Sequence, residues 1–216
     1  MKYLPHLATV ALILTASAGC TAQEQKPEIP ADNTCGFKES GSAAREVSIP
    51  SGPNDGMPTV TLATNQGELE MKLDGSKAPC GVGAIEHLAK SGFYDNTLCH
   101  RITTENIFVL QCGDPTATGS GGPGFTFKDE YPVNTSEQGL YQAGVIAMAN
   151  AGPDTNGSQF FLVYQDSPLP PNYTILGRIS EQSMPVLHAI AEKGAAGGAR
   201  DATPAEEVRI DKATAL

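Results

Sequence analysis

The chain has 216 residues, 40% of them hydrophobic, enough to bury one sizeable core. Its net charge of −10 argues against a duplex nucleic acid as partner, because phosphate binding needs a cationic face. Trp is absent and aromatics make up only 6%, whereas Gly (23) and Pro (16) abound, a balance that suits a turn-rich β protein better than a helical bundle.

The first twenty residues, "MKYLPHLATVALILTASAGC", carry Lys2, an apolar run from Leu7 to Ala16 and then small residues. The run is too short to span a bilayer comfortably and reads as an export signal over residues 1–19. "SAGC" resembles a bacterial lipobox, with Ser17 where Leu is usual, which makes Cys20 the expected lipidation site. A plain secretory signal with Cys20 incidental is the alternative. A multiply acylated Cys carries enough chains for stable anchoring, so the expected location is the extracytoplasmic side of the cell membrane. Residues 20–57 are rich in Pro, Ser, Gly and Ala and read as a polar linker, with room for a short ordered stretch around "TCGFKESGSAAREVSIP". The folded domain is expected over residues 58–216.

Order begins at "PTVTLATNQGELEMKLD". Val60 and Leu62, then Leu69, Met71 and Leu73, alternate with polar residues about the break at "NQG", which predicts a β-hairpin with one buried face. In "APCGVGAIEHLAKSG" the residues Val82, Ile85, Leu88 and Ala89 stand at helical spacing, with Gly92 placed to stop the helix. Short strands follow around Cys99–Ile102, Val109–Gly113, Gly144–Ala149, Gln159–Tyr164 and Ile175–Ile179, separated by turns rich in Gly and Pro. "SMPVLHAIAEKG" predicts a second helix with Ser183 as N-cap, and "EEVRIDKATAL" a last strand. Many short antiparallel strands with two helices predict a closed barrel.

Beyond Cys20, four cysteines remain: Cys35, Cys80, Cys99 and Cys112. An even count in an exported domain predicts one or two disulfides, and four cysteines allow three pairings. If Arg101 and Gln111 face one site from adjacent strands, Cys99 shares their face and Cys112 lies on the other. Alternation thus disfavours Cys99–Cys112, and Cys80–Cys99 is the preferred pair, with buried free thiols as the alternative.

The four histidines are scattered, so no metal cluster is expected, and Ser158 has no evident base partner. "GDPTATGSGGPG" lacks the "GK[ST]" of a phosphate loop. What remains is "CHRITTENIFVLQCGD" together with "MANAGPDTNGSQFF". An Arg, amides and a set of Phe, Val and Leu would make a small apolar pocket with hydrogen-bond donors at its rim. A neutral, compact, apolar group on a peptide backbone fits that description, and proline in a chain is such a group.

These two stretches resemble the cyclophilin family of peptidyl-prolyl isomerases, with similarity from about Thr59 to Ile210. The lipobox and the pattern "PC…LCHR…LQCGD" resemble its extracytoplasmic lipoprotein branch. The resemblance implies a mostly β fold: a closed eight-stranded antiparallel β-barrel with two capping α-helices. It implies a catalytic set of Arg101, Phe108 and Gln111, Phe108 being the proline-pocket aromatic. It places Val109, Ala149, Asn150, Gln159, Phe161, Leu169 and Tyr173 in substrate binding. Tyr173 stands where the family usually has His, and Val109 where Met is common. The loop between Arg101 and Phe108 is about two residues longer than the common pattern, which bears on how Phe108 meets Arg101. Pro168 replaces a Trp that contacts cyclosporin, so weak inhibition is implied. The expected partners are proline-containing unfolded or flexible polypeptides, met by a monomer without cofactor. A peptide-holding lipoprotein without useful turnover is the competing expectation.

Overall fold

The computed structural model describes Met1, residues 33–133 and residues 135–216. The export signal, Cys20 and the first part of the linker lie outside the described residues. Among the described residues, twelve strands and two α-helices follow in chain order. The predicted hairpin is β2 (Thr59–Thr64) and β3 (Gly67–Leu73), paired from Thr59↔Lys72 to Thr64↔Gly67, with Val60, Leu62, Leu69, Met71 and Leu73 buried on one face. Helix α1 (Pro79–Lys90) buries Val82, Ile85 and Leu88 as its spacing predicts, and Gly92 ends it at φ +69°. No side chain at the cap position holds its first amides. Instead Glu130, fifty residues on, accepts from Cys80 N at 2.9 Å and Gly81 N at 2.8 Å. A carboxylate there satisfies orphan donors and meets the positive end of the helix.

After α1 come β4 (Thr97–Leu98), β5 (Arg101–Thr103), β6 (Val109–Cys112), β7 (Phe125–Thr126), β8 (Val145–Met148), β9 (Phe160–Val163) and β10 (Ile175–Ile179). Helix α2 (Met184–Glu192), β11 (Asp201–Ala202) and β12 (Arg209–Ala215) complete the order. Ser183 precedes α2 as expected, but its side chain does not cap: its Oγ accepts from Glu70 N at 2.9 Å and so fastens α2 to β3.

The main sheet has ten strands in the order β11-β5-β6-β9-β8-β10-β3-β2-β12-β4, two more than the expected eight. It curls into a barrel that is open in its hydrogen bonding, because the ladder ends at β11 and β4 among the described residues. The gap is bridged by the chain itself: β4 pairs with β12, Cys99 N donates to Val208 O, and after His100 the chain becomes β5 on the other side. A bulge between Ile175 and Gly177 bends β10. Only glycine fits there, since a Cβ on Gly177 would stand 2.1 Å from Lys72 O.

The central strands are buried on both faces. Leu110, Cys112, Ile146, Met148, Phe160 and Leu162 face the barrel interior, whereas Val109, Val145, Ala147, Phe161 and Val163 form a second cluster with Tyr141. That second cluster is the floor of the site described below.

The disulfide expectation is corrected here. The disulfides are Cys35–Cys80 and Cys99–Cys112, not Cys80–Cys99. Alternation failed because the strand is interrupted at Cys99 and His100, so the face of Arg101 cannot be extrapolated back to Cys99. Within the reading of residues 20–57 as linker, the ordered stretch allowed around residues 34–50 is present. From Asn33 the chain packs on the domain: Cys35 is bonded to α1 and Phe37 meets Phe125 edge-on with ring centroids 5.7 Å apart. A strand β1 (Lys38–Glu39) pairs with β7, and Arg45 Nη1 reaches the carbonyls of Gly92, Phe93 and Asp95 at the end of α1.

Candidate active site

Strand register builds the site. The pairs Arg101↔Gln111, Gln111↔Phe161, Ala147↔Phe161 and Ile175↔Ala147 place five residues in one row across β5, β6, β9, β8 and β10. Residues paired across strands share a face, so an Arg, an amide and an aromatic project together. Val109, two residues from Gln111, joins them on that face.

Above this row lies a pocket of about 180 Å³. Its apolar lining is Val109, Ile107, Phe161, Ala149 and Leu169, and its polar rim is Arg101, Gln111, Asn150 and Tyr173. The volume equals roughly six waters at about 30 Å³ each, enough for one compact side chain and too little for a drug-sized ligand. Tyr173 stands edge-on to Phe161, centroids 5.5 Å apart, and is held from behind by Tyr141, whose hydroxyl donates to Tyr173 O at 2.8 Å and accepts from Tyr173 N at 3.0 Å. Asn150 Nδ2 donates to Asn172 O at 2.8 Å, which fixes that amide at the rim.

Arg101 is held in one orientation. Its Nε and Nη2 donate to the two carboxylate oxygens of Asp201, each at 2.7 Å, and its Nη1 donates to Gln111 Oε1 at 3.1 Å. A guanidinium has five N–H groups, so one on each terminal nitrogen remains for a ligand. The same hydrogen bonds raise the pKa of Arg101 and hold that of Asp201 below the usual carboxylate range.

The orientation of Gln111 is set in turn. Its Nε2 donates to Gln159 Oε1 at 2.8 Å, and Gln159 Nε2 donates to the carbonyls of Gly119 and Gly121 at 3.0 and 2.9 Å. Those carbonyls are positioned by buried Asp114, which accepts from the amides of Thr116, Thr118, Gly119 and Gly121. Burial pushes the Asp114 carboxyl up, but the hydrogen bonds from Thr116, Gly121 and Gly119 outweigh it and leave the pKa lowered. Gly121 has no room for a side chain, since a Cβ would meet Asp114 Oδ1 at 2.0 Å.

Of the residues expected from sequence, Arg101, Gln111, Val109, Ala149, Asn150, Phe161, Leu169 and Tyr173 meet at this pocket, with Gln159 behind Gln111. Phe108 does not. It is one residue out of phase with Val109, so it packs on the barrel-interior side against Tyr164, centroids 5.9 Å apart. Ile107, from the loop between Thr103 and Phe108, lines the pocket instead. Sequence reasoning missed Asp201 and Tyr141 as well. Asp201 is a hundred positions from Arg101, and only the β11–β5 pairing brings it near.

Comparison with known proteins agrees with this geometry. The profile of the cyclophilin type peptidyl-prolyl cis-trans isomerase family matches residues 59–215. The probable peptidyl-prolyl cis-trans isomerase B of Mycobacterium tuberculosis is 47% identical over 161 residues, 70% of this chain and 52% of that protein. Its namesake in Mycobacterium leprae is 46% identical over 162 residues, 71% of this chain and 55% of that protein. The chain thus spans about half the length of these curated relatives. A Cryptosporidium parvum cyclophilin type isomerase, crystallised in the presence of the dipeptide Ala-Pro, superposes with a TM-score of 0.62 at 32% identity, covering 72% of this chain and 97% of that one. With the profile spanning most of the chain and the row from Arg101 to Phe161 in place, this protein belongs to the cyclophilin-type peptidyl-prolyl cis-trans isomerase family.

Proposed function

We propose that the protein accelerates cis-trans isomerisation of X–Pro bonds in unfolded or exported polypeptides, with Arg101 stabilising the twisted amide. One observation carries this reading: a guanidinium with two unengaged N–H groups stands at the rim of a pocket of proline size. Amide resonance sets a barrier of about 18–20 kcal/mol. When the bond twists, resonance is lost and the prolyl nitrogen gains a lone pair. A donor aimed at that nitrogen binds the twisted form better than either planar one, which needs no acid, base or nucleophile. Raising a spontaneous rate of about 0.01–0.1 s⁻¹ to about 10 s⁻¹ takes roughly 3–4 kcal/mol. Val109, Phe161 and Leu169 would hold the ring while the preceding carbonyl swings, and Asn150 would hold the peptide.

Because no proton is transferred, kcat/KM is expected to stay flat from about pH 6 to 9. Asp201, with its pKa lowered by the Arg101 hydrogen bonds, orients Arg101 above that value and fails only as pH falls through it. Tyr141 is pushed up to about 12 by burial and stays neutral in this window. A bell-shaped profile in a stopped-flow assay would point to acid–base chemistry instead.

The test of the activity is NMR exchange on an Ala-Pro peptide with a catalytic amount of the full-length protein. Faster exchange supports the enzyme. Binding without faster exchange would leave a peptide-holding lipoprotein, the reading that the replacement of Phe108 by Ile107 at the pocket favours.

We further propose that the protein acts on the extracytoplasmic side of the cell membrane, anchored at Cys20. The "SAGC" sequence supports this, as do the two disulfides, which persist in oxidising compartments. No helix among the described residues is long and apolar enough to cross a membrane. A monomer is favoured because Met1, Met57 and Leu216 are the only exposed large hydrophobics among the described residues.

A further inference from the structure

Beside the pocket runs a groove of about 730 Å³ that shares Gln111, Ala149 and Asn150 with it. A chain seated in the pocket therefore continues into the groove without leaving the surface. It is lined by the loop from Gly119 to Gly124 and, hydrogen-bonded beside that loop, by Lys38, Ser40, Gly41 and Ser42. The segment 38–42 precedes residue 59 and so lies outside the part of the chain matched to the family.

This segment is firmly held. Cys35–Cys80 ties its base to α1, and Phe37 is wedged between Phe125 and Phe127. Lys38 and Glu39 pair with Thr126 and Phe125. Ser40 N donates to Gly124 O at 2.9 Å, and Ala44 N to Gly122 O at 2.8 Å. Lys38 is the only charged residue lining the groove among the described residues, and it is exposed. Glu39, its neighbour on a strand, points the other way. A separate depression that shares Asn150 and Tyr173 with the pocket is lined by Asp129 and Asp154.

We infer that the segment 38–42 is part of the substrate-binding surface and that Lys38 selects an acidic side chain a few residues from the proline, on the groove side. The carboxylates of Asp129 and Asp154 oppose acid in the neighbouring depression, so the preference has a direction. This inference rests on the peptide-isomerase reading of the neighbouring pocket.

The test measures exchange catalysed by the full-length protein on peptides bearing Glu, Gln or Lys two or three residues before the proline and, separately, after it. On one side only, Glu over Lys is expected to be favoured about two- to fivefold in kcat/KM at low salt, the range of an exposed ion pair. The ratio is expected to invert in Lys38→Glu and to shrink towards one at about 0.5 M salt. An identical Glu:Lys ratio in wild type and Lys38→Glu would overturn the inference, as would a wild-type preference for Lys on both sides. If the wild type turns over no peptide, the isomerase reading fails by itself. The same ratio is then read from Kd by chemical-shift titration, and affinities indifferent to Lys38→Glu, or absence of binding, overturn the inference.

Discussion

An Arg101→Lys variant is expected to lose about 10²-fold in kcat/KM, nearly as much as Arg101→Ala, although it keeps the positive charge. The reason lies in how the guanidinium is used. Its Nε and Nη2 fit both oxygens of Asp201, its Nη1 meets Gln111, and two N–H groups are left at the pocket rim. An ammonium is a point charge on a flexible stem and cannot engage a carboxylate in a fork while aiming a donor elsewhere. Paired with Asp201, a lysine would turn from the pocket; aimed at the pocket, it would lose its fixed direction. The check is prolyl exchange by NMR on the same peptide for both variants, with thermal melts to show that the fold persists. Retention of activity within about threefold by the lysine variant would mean that charge alone suffices, and the fork geometry would lose its role.

Removing Cys35–Cys80, in a Cys35→Ser, Cys80→Ser double variant, is expected to cost about 4 kcal/mol, against about 3 kcal/mol for the Cys99–Cys112 pair. The difference follows from sequence separations of 45 and 13, since a longer loop confines the unfolded chain more when closed. For a domain of this size the first change corresponds to a fall in Tm of roughly 8–15 °C. Calorimetry under non-reducing conditions reads both. A larger loss for the short loop would show that packing around Cys99 and Cys112, rather than loop closure, sets the order.

Local pattern carried most of the fold and nearly all of the pocket. The hairpin was legible because Val60, Leu62, Leu69, Met71 and Leu73 keep period two on both sides of a tight turn. Arg101 and Gln111 were legible because the intervening hairpin puts them opposite each other. Phe108 was misplaced because the resemblance, not alternation, put it in the pocket; one residue out of phase with Val109, it packs on the interior side. The disulfide pairing failed because alternation holds only inside a paired strand, and the chain leaves β12 and crosses to β6 between Leu98 and Arg101. Asp201 had no signal at all. A carboxylate brought in by a two-residue strand from a Gly- and Ala-rich stretch has no local period to reveal it. The segment after Asn33 reads as linker by composition with room for an ordered stretch around residues 34–50, and there Cys35, Phe37 and Ile49, sparse as they are, are buried.

That early entry into the fold would limit how far the site can stray. With the proposed anchor at Cys20, twelve residues would lie between it and Asn33, the first described residue of the domain. Fully extended, they reach about 45 Å. Such an anchor would leash Asn33 within roughly one protein diameter of the bilayer, so encounter would be limited to chains crossing that surface or lying against it, and proximity would do much of the work of substrate choice.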